Sequence, residues 1–160
     1  HLVHDKEALH MNLQRLIRSA NILKVPILWV EQNPRGLGKT IPEIAELLTI
    51  QSSIPKMTFS ACKSDSFTKR LASYNRKQIL LAGIEAHVCI YQTASDLLEK
   101  GYQVHVIVDA VSSRLLSNKQ IGLARMKVEG AIVSSTEMAL FELLGTAEHS
   151  RFKEIVNILK

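Results

Sequence analysis

Apolar positions along this chain switch repeatedly between a helical and a strand rhythm. From Asp5 to about Lys24, Leu9, Leu13, Leu16, Ile17 and Ala20 recur on one helical face, with Asp5 the expected N-cap and Pro26 the stop. Ile27-Leu28-Trp29-Val30-Glu31 then reads as a buried strand. A Gly/Pro-rich loop over 32–42 and a short helix over 44–48 follow, and the mixed segment 49–60 holds a short strand near Lys56-Met57-Thr58. Phe67, Leu71 and Tyr74 set a helix over 65–74. Gln78 to Ala82 predicts a second buried strand that stops at Gly83, and Ile90, Ala94, Leu97 and Leu98 predict a helix ending at Gly101. Gln103 to Asp109 is a strongly β-branched strand, and a helix over 118–129 stops at Gly130. Ala131 to Ser134 is the last strand. Ser134 with Glu137 forms a capping-box pattern for a helix ending at Gly145, and Phe152, Ile155, Val156 and Leu159 mark a final amphipathic helix.

This alternation predicts one α/β domain over 1–160, with a doubly wound, mostly parallel sheet and helices on both faces. Such folds usually open on their central strand, whereas this sequence opens on a helix. A parallel sheet lacking its middle strand would leave backbone groups unpaired in the core, so a further strand is expected upstream of His1.

Composition narrows the function classes. A net charge of +5, spread in short pairs such as Lys69-Arg70 with few aromatics between, argues against nucleic-acid binding. No stretch is apolar and long enough to span a membrane. Two cysteines, Cys62 and Cys89, fit a reducing compartment, so a cytoplasmic location is the default; a targeting segment upstream of His1 would change it. The six histidines show no ligand spacing with each other or with carboxylates, so no metal is expected.

The chemistry-bearing candidates sit at strand ends. Cys89 follows Gly83 by six residues at a strand–loop–helix junction, where helix N–H groups and the helix dipole favour a thiolate. A small buried core cysteine is the competing reading, and the junction alone does not decide between them. His87 reads first as a loop residue and second as a general base reaching the pocket. His105 alternates within a strand as a core or sheet-face residue. Lys56 reads as a surface lysine unless it lies beside the thiol, where it would hold a thiolate. Asp109 is expected to cap the turn over 110–113. Gly36-Leu37-Gly38-Lys39-Thr40 imitates a phosphate loop, but Asn33 stands where the motif needs glycine, so the segment reads better as a mobile loop over a pocket.

The segments Gly83-Ile84-Glu85-Ala86-His87-Val88-Cys89, Val108-Asp109-Ala110-Val111-Ser112-Ser113-Arg114 and Lys56 to Ala61 resemble the isochorismatase-like cysteine hydrolase family. The resemblance covers nearly the whole chain. It implies a three-layer α/β/α sandwich around a six-stranded parallel sheet, the first strand of which would precede His1. It also implies Cys89 as nucleophile, Lys56 as its lysine partner, and a cis peptide at Ile84–Glu85. The backbone N–H groups of Glu85 and Cys89 would form an oxyanion hole, with His87 and Phe59 as candidate pocket residues. The family's third catalytic group, an aspartate at the end of the first strand, would lie upstream of His1; Asp5 stands in the wrong context to replace it. Retention of the cysteine favours attack on the acyl carbon of a small amide, without cofactor, over hydrolysis of a vinyl ether. A non-catalytic binding module is the other alternative. Members of the family assemble as dimers or larger oligomers.

Overall fold

The computed structural model describes residues 3–48 and 52–160, so part of the mixed segment 49–60 lies outside the described residues. In chain order the elements are α1 (Lys6–Ile22), β1 (Val30–Gln32), α2 (Pro34–Leu37), α3 (Pro42–Ala45), β2 (Ile54–Lys56), α4 (Asp65–Ser73) and β3 (Gln78–Ile84). They continue with α5 (Tyr91–Glu99), β4 (Gln103–Ser112), α6 (Leu116–Val128), β5 (Ile132–Ser134), α7 (Thr136–Leu144) and α8 (Phe152–Leu159). Every strand pairing is parallel: β1 with β2, and β3 with β4 with β5. Among the described residues these are two separate ladders, not one continuous sheet. No described helix is long and apolar enough to cross a membrane.

Helices cover both faces, giving three layers. On one side α1 uses both edges of its apolar stripe: Leu13 and Leu16 meet Ile107, Ala110 and Ala139, while Leu13 and Ile17 meet Ile44, Leu48 and Trp29. One helix therefore spans both ladders. On the other side α4, α5 and α6 bury Phe67, Leu71, Ala94, Leu97 and Met126 against Ile54, Val104, Val106 and Val111. Leu140, Leu144 and Ile155 close α7 and α8 onto the end of α1. Full burial of a side chain such as Leu97 contributes about 1.5–3 kcal/mol, so these facing stripes carry most of the fold.

Several local expectations are corrected. Asp5 takes a left-handed conformation (φ 51°) and makes no side-chain cap, so α1 starts without one. That helix ends at Ile22, ahead of Pro26, because Lys24 takes a positive φ. Only Val30–Gln32 of the first apolar run is laddered; Ile27 and Leu28 pack without pairing. The strand near Lys56 lies earlier, at Ile54–Lys56. Strand β3 passes through Gly83 to Ile84, with a register shift between Leu81 and Gly83 that Gly83 accommodates at φ 113°. It is half-buried to exposed along its length, whereas β4, at the centre of its ladder, is largely buried. Ser135, not Ser134, caps α7 by accepting the Met138 N–H. Asp109 also caps α7, accepting the N–H and hydroxyl of Thr136, while β4 continues past it to Ser112.

Candidate active site

The carboxyl ends of four strands converge in the chemistry they present. Register pairs Gln32 with Lys56 at the ends of β1 and β2. Strand β3 ends at Ile84, opposite Ser112 of β4. In open parallel sheets this edge is where ligands bind, since loops there can vary without disturbing the ladder.

Lys56 is the most constrained side chain at this edge. It is only 8% exposed. Its ammonium donates to the Gln32 Oε1, to the Thr58 carbonyl at 2.8 Å and to the Phe59 carbonyl at 2.7 Å. All three donors of a lysine are thereby satisfied, and all three acceptors are neutral. Burial pulls the Lys56 pKa below the ordinary lysine value, while the Cys89 side chain, by charge and by hydrogen bonding, pulls the other way. The Cys89 thiol donates to the same Gln32 Oε1 at 3.9 Å.

Gln32 is the site residue that its surroundings in the sequence did not disclose. Its carbonyl oxygen faces both the ammonium and the thiol, and its amide donates to the Met57 carbonyl at 2.8 Å. The available signal was its place directly after an apolar run, at a strand's carboxyl end.

The Ile84–Glu85 peptide, where the resemblance implies a cis bond, is cis in the structure. Beyond it, Ala86–Ile90 form a single π-helical turn that runs into α5. The Glu85 carbonyl accepts both the Val88 N–H (3.1 Å) and the Ile90 N–H (3.2 Å), so Cys89 lies within a turn wound about one carbonyl. The thiol is half-buried and lies in this π-helical turn, two residues before α5 begins at Tyr91. Such wide turns concentrate at functional sites.

His87 does not turn towards the thiol in these contacts. Its Nδ1 shares a hydrogen bond of 3.0 Å with the Ser113 hydroxyl. Phe59 contributes its carbonyl to Lys56, and its ring is 54% exposed beside an open cleft of about 450 Å³ that also borders Tyr91, Gln92 and Asp96. His105 is half-buried in β4, its Nε2 without a partner among the described residues.

The Gly-rich segment after β1 is tied back to that strand at its far end, through Thr40. Trp29 Nε1 donates to the Thr40 hydroxyl at 2.8 Å, and the Thr40 N–H donates to Glu31 Oε1 at 2.7 Å. Burial pushes the Glu31 carboxyl up, but the Thr40 N–H and hydroxyl, the Ser53 hydroxyl and the Lys39 charge together bring it below the usual value. Asn33 caps α2 from a left-handed conformation, so the imitation of a phosphate loop has no phosphate-loop geometry.

Parallel strands under two helical layers, with a thiol and a buried lysine meeting at their carboxyl edge, define a sandwich protein of the thiol-bearing α/β class. The isochorismatase domain matches residues 1–138, and the chain belongs to the isochorismatase family. Isochorismatase domain-containing protein 2 of Macaca fascicularis is 43% identical over 148 residues, covering 91% of this chain and 70% of that protein. Isochorismatase domain-containing protein 1 of Salmo salar is 40% identical over 147 residues, covering 92% of this chain and 52% of that one. The chain thus spans about half the length of the latter. A solved structure described as MAR1 ribonuclease from Caenorhabditis elegans superposes with a TM-score of 0.93 at 37% identity, covering 99% of this chain and 81% of that one.

Proposed function

We propose that this protein is a cysteine hydrolase that cleaves the C–N bond of a small amide through a thioester on Cys89. The observation that carries this reading is the Lys56 ammonium, buried among three neutral oxygens with the Cys89 thiol alongside. The Lys56 ammonium beside the thiol stabilises the thiolate that attacks. Loss of the thiol proton to the aspartate that the resemblance places upstream of His1 then begins the reaction. Sulfur attacks the acyl carbon, and the oxyanion faces the backbone N–H groups of Glu85 and Cys89. As the C–N bond breaks, Lys56 gives a proton to the leaving nitrogen, and burial, by making its ammonium a stronger acid, favours that transfer. Neutral Lys56 next takes a proton from the attacking water, and collapse of the second intermediate releases the acid and restores the thiolate. The aspartate that the resemblance places upstream of His1 would share this proton traffic. The reaction so written uses no cofactor, and the place of action is the cytoplasm.

Incubation with small primary amides, followed by intact mass measurement, tests the reading. An acyl adduct on Cys89 and ammonia release, both lost in Cys89→Ser, are the expected result. The Caenorhabditis neighbour is described as a ribonuclease, so RNA is assayed alongside. RNA cleavage that survives Cys89→Ser, with amides untouched, would overturn the proposal. Self-association into a dimer or larger assembly accompanies the proposal, and sedimentation at micromolar concentrations tests it.

A further inference from the structure

The Ser112-Ser113-Arg114 segment closes β4 but takes no part in the chemistry written above. Each of its residues nevertheless ties something down. The Ser112 hydroxyl donates to the His4 carbonyl, holding the approach to α1. The Ser113 hydroxyl, fully buried, meets His87 Nδ1 at 3.0 Å. The Arg114 N–H donates to Glu85 Oε2 at 3.0 Å, and its guanidinium lies 3.3 Å from Glu85 Oε1. The last two contacts grip the cysteine turn on either side of Ala86, two and four residues ahead of Cys89. A third contact presses on the same place from below. Gly122 of α6 lies so close that a Cβ there would stand 2.8 Å from the Ala86 carbonyl oxygen and 2.8 Å from the His87 Cα.

We infer that Ser113 and His87 are positioning residues for Cys89: their part-buried hydrogen bond, with the Glu85–Arg114 contact beside it, fixes the turn that aims the thiol at Lys56. The inference rests on Cys89 being the nucleophile. It assigns His87 a hydrogen-bonding role in place of proton transfer. Asparagine, whose amide can occupy the place of Nδ1 but cannot act as a base, separates the two roles.

The test is the rate of Cys89 alkylation by iodoacetamide relative to Cys62 in the whole protein near neutral pH, with folding checked by circular dichroism. His87→Ala is expected to lower the ratio about tenfold, because small misplacements of a reacting group have large kinetic effects. His87→Asn is expected to stay within about threefold of the unmodified protein, since one hydrogen bond is retained. Arg151→Ala, which breaks an exposed ion pair on α8, is the control and should leave the ratio unchanged. If His87→Ala does not fold, Ser113→Ala decides: a lowered ratio supports the inference and an unchanged one overturns it. An unchanged ratio in folded His87→Ala overturns it, as does an equal loss in His87→Asn, which would point to proton transfer. If Cys89 of the unmodified protein reacts no faster than Cys62, the hydrolase reading and this inference fail together. Fast wild-type reaction with an indifferent His87→Ala removes the inference alone.

Discussion

The chain's two cysteines are the same functional group placed in opposite electrostatic company. Cys62 is 7% exposed, in the middle of a 3-10 turn before α4. Burial pushes its thiol up, the Asp96 carboxylate adds to this, and the Ser60 hydroxyl and nearby lysines offset only part of it. Cys89 is half-buried in a turn wound on one carbonyl, beside a buried ammonium that has no carboxylate among its three acceptors. The contrast teaches that neither burial nor sequence neighbourhood alone makes a cysteine reactive. What separates the two thiols is the charge each meets, a carboxylate on α5 for Cys62 and the lysine of β2 for Cys89, and both are set by tertiary packing.

The largest expected effect is on the two thiols themselves: Cys89 should alkylate about a hundredfold faster than Cys62 near neutral pH, read by peptide mass mapping. Comparable slow rates would erase the contrast. Replacing the ammonium comes next. Lys56→Met should slow Cys89 alkylation about tenfold while leaving Cys62 unchanged. The same variant has a stability signature. Because the folded pKa of Lys56 lies below its unfolded value, the folded state binds fewer protons between the two. Wild-type stability should therefore rise with pH across that window relative to Lys56→Met, with the difference in Tm measured at paired pH values; a constant difference would show that Lys56 is not held at a depressed pKa. Gln32→Leu should have a smaller effect, about threefold on Cys89, since it removes one acceptor shared by the ammonium and the thiol. The smallest change is on the other cysteine. Asp96→Asn removes a carboxylate that raises the Cys62 thiol and should speed its alkylation about twofold, still limited by burial.

The layered α/β architecture was legible because parallel strands buried beneath helices read as apolar runs between amphipathic segments. Cys89 was legible as a candidate from its junction, and Lys56 only through the resemblance, since one lysine among many carries no local mark of burial. What escaped depends on tertiary contact. Strand β3 is half-buried to exposed despite its apolar content, which does not report the packing around it. Asp109 sits at a plausible turn position, yet its carboxylate is recruited by Thr136, far along the chain. Gln32 gains its role from register with Lys56, and register is invisible in a single strand. Thr40, at the end of the Gly-rich loop, is tied to Trp29 and Glu31, contacts that local composition does not report.

Lys56 and Gln32 stand at the carboxyl ends of β1 and β2, while the cysteine turn springs from β3. The thiol–lysine arrangement is therefore assembled from segments far apart in the chain, and α1, packed against both sets of strands, helps to hold them in line. A cavity cut into that helix face, as in Ile17→Ala, should disturb the thiol through alignment alone, without touching either side chain.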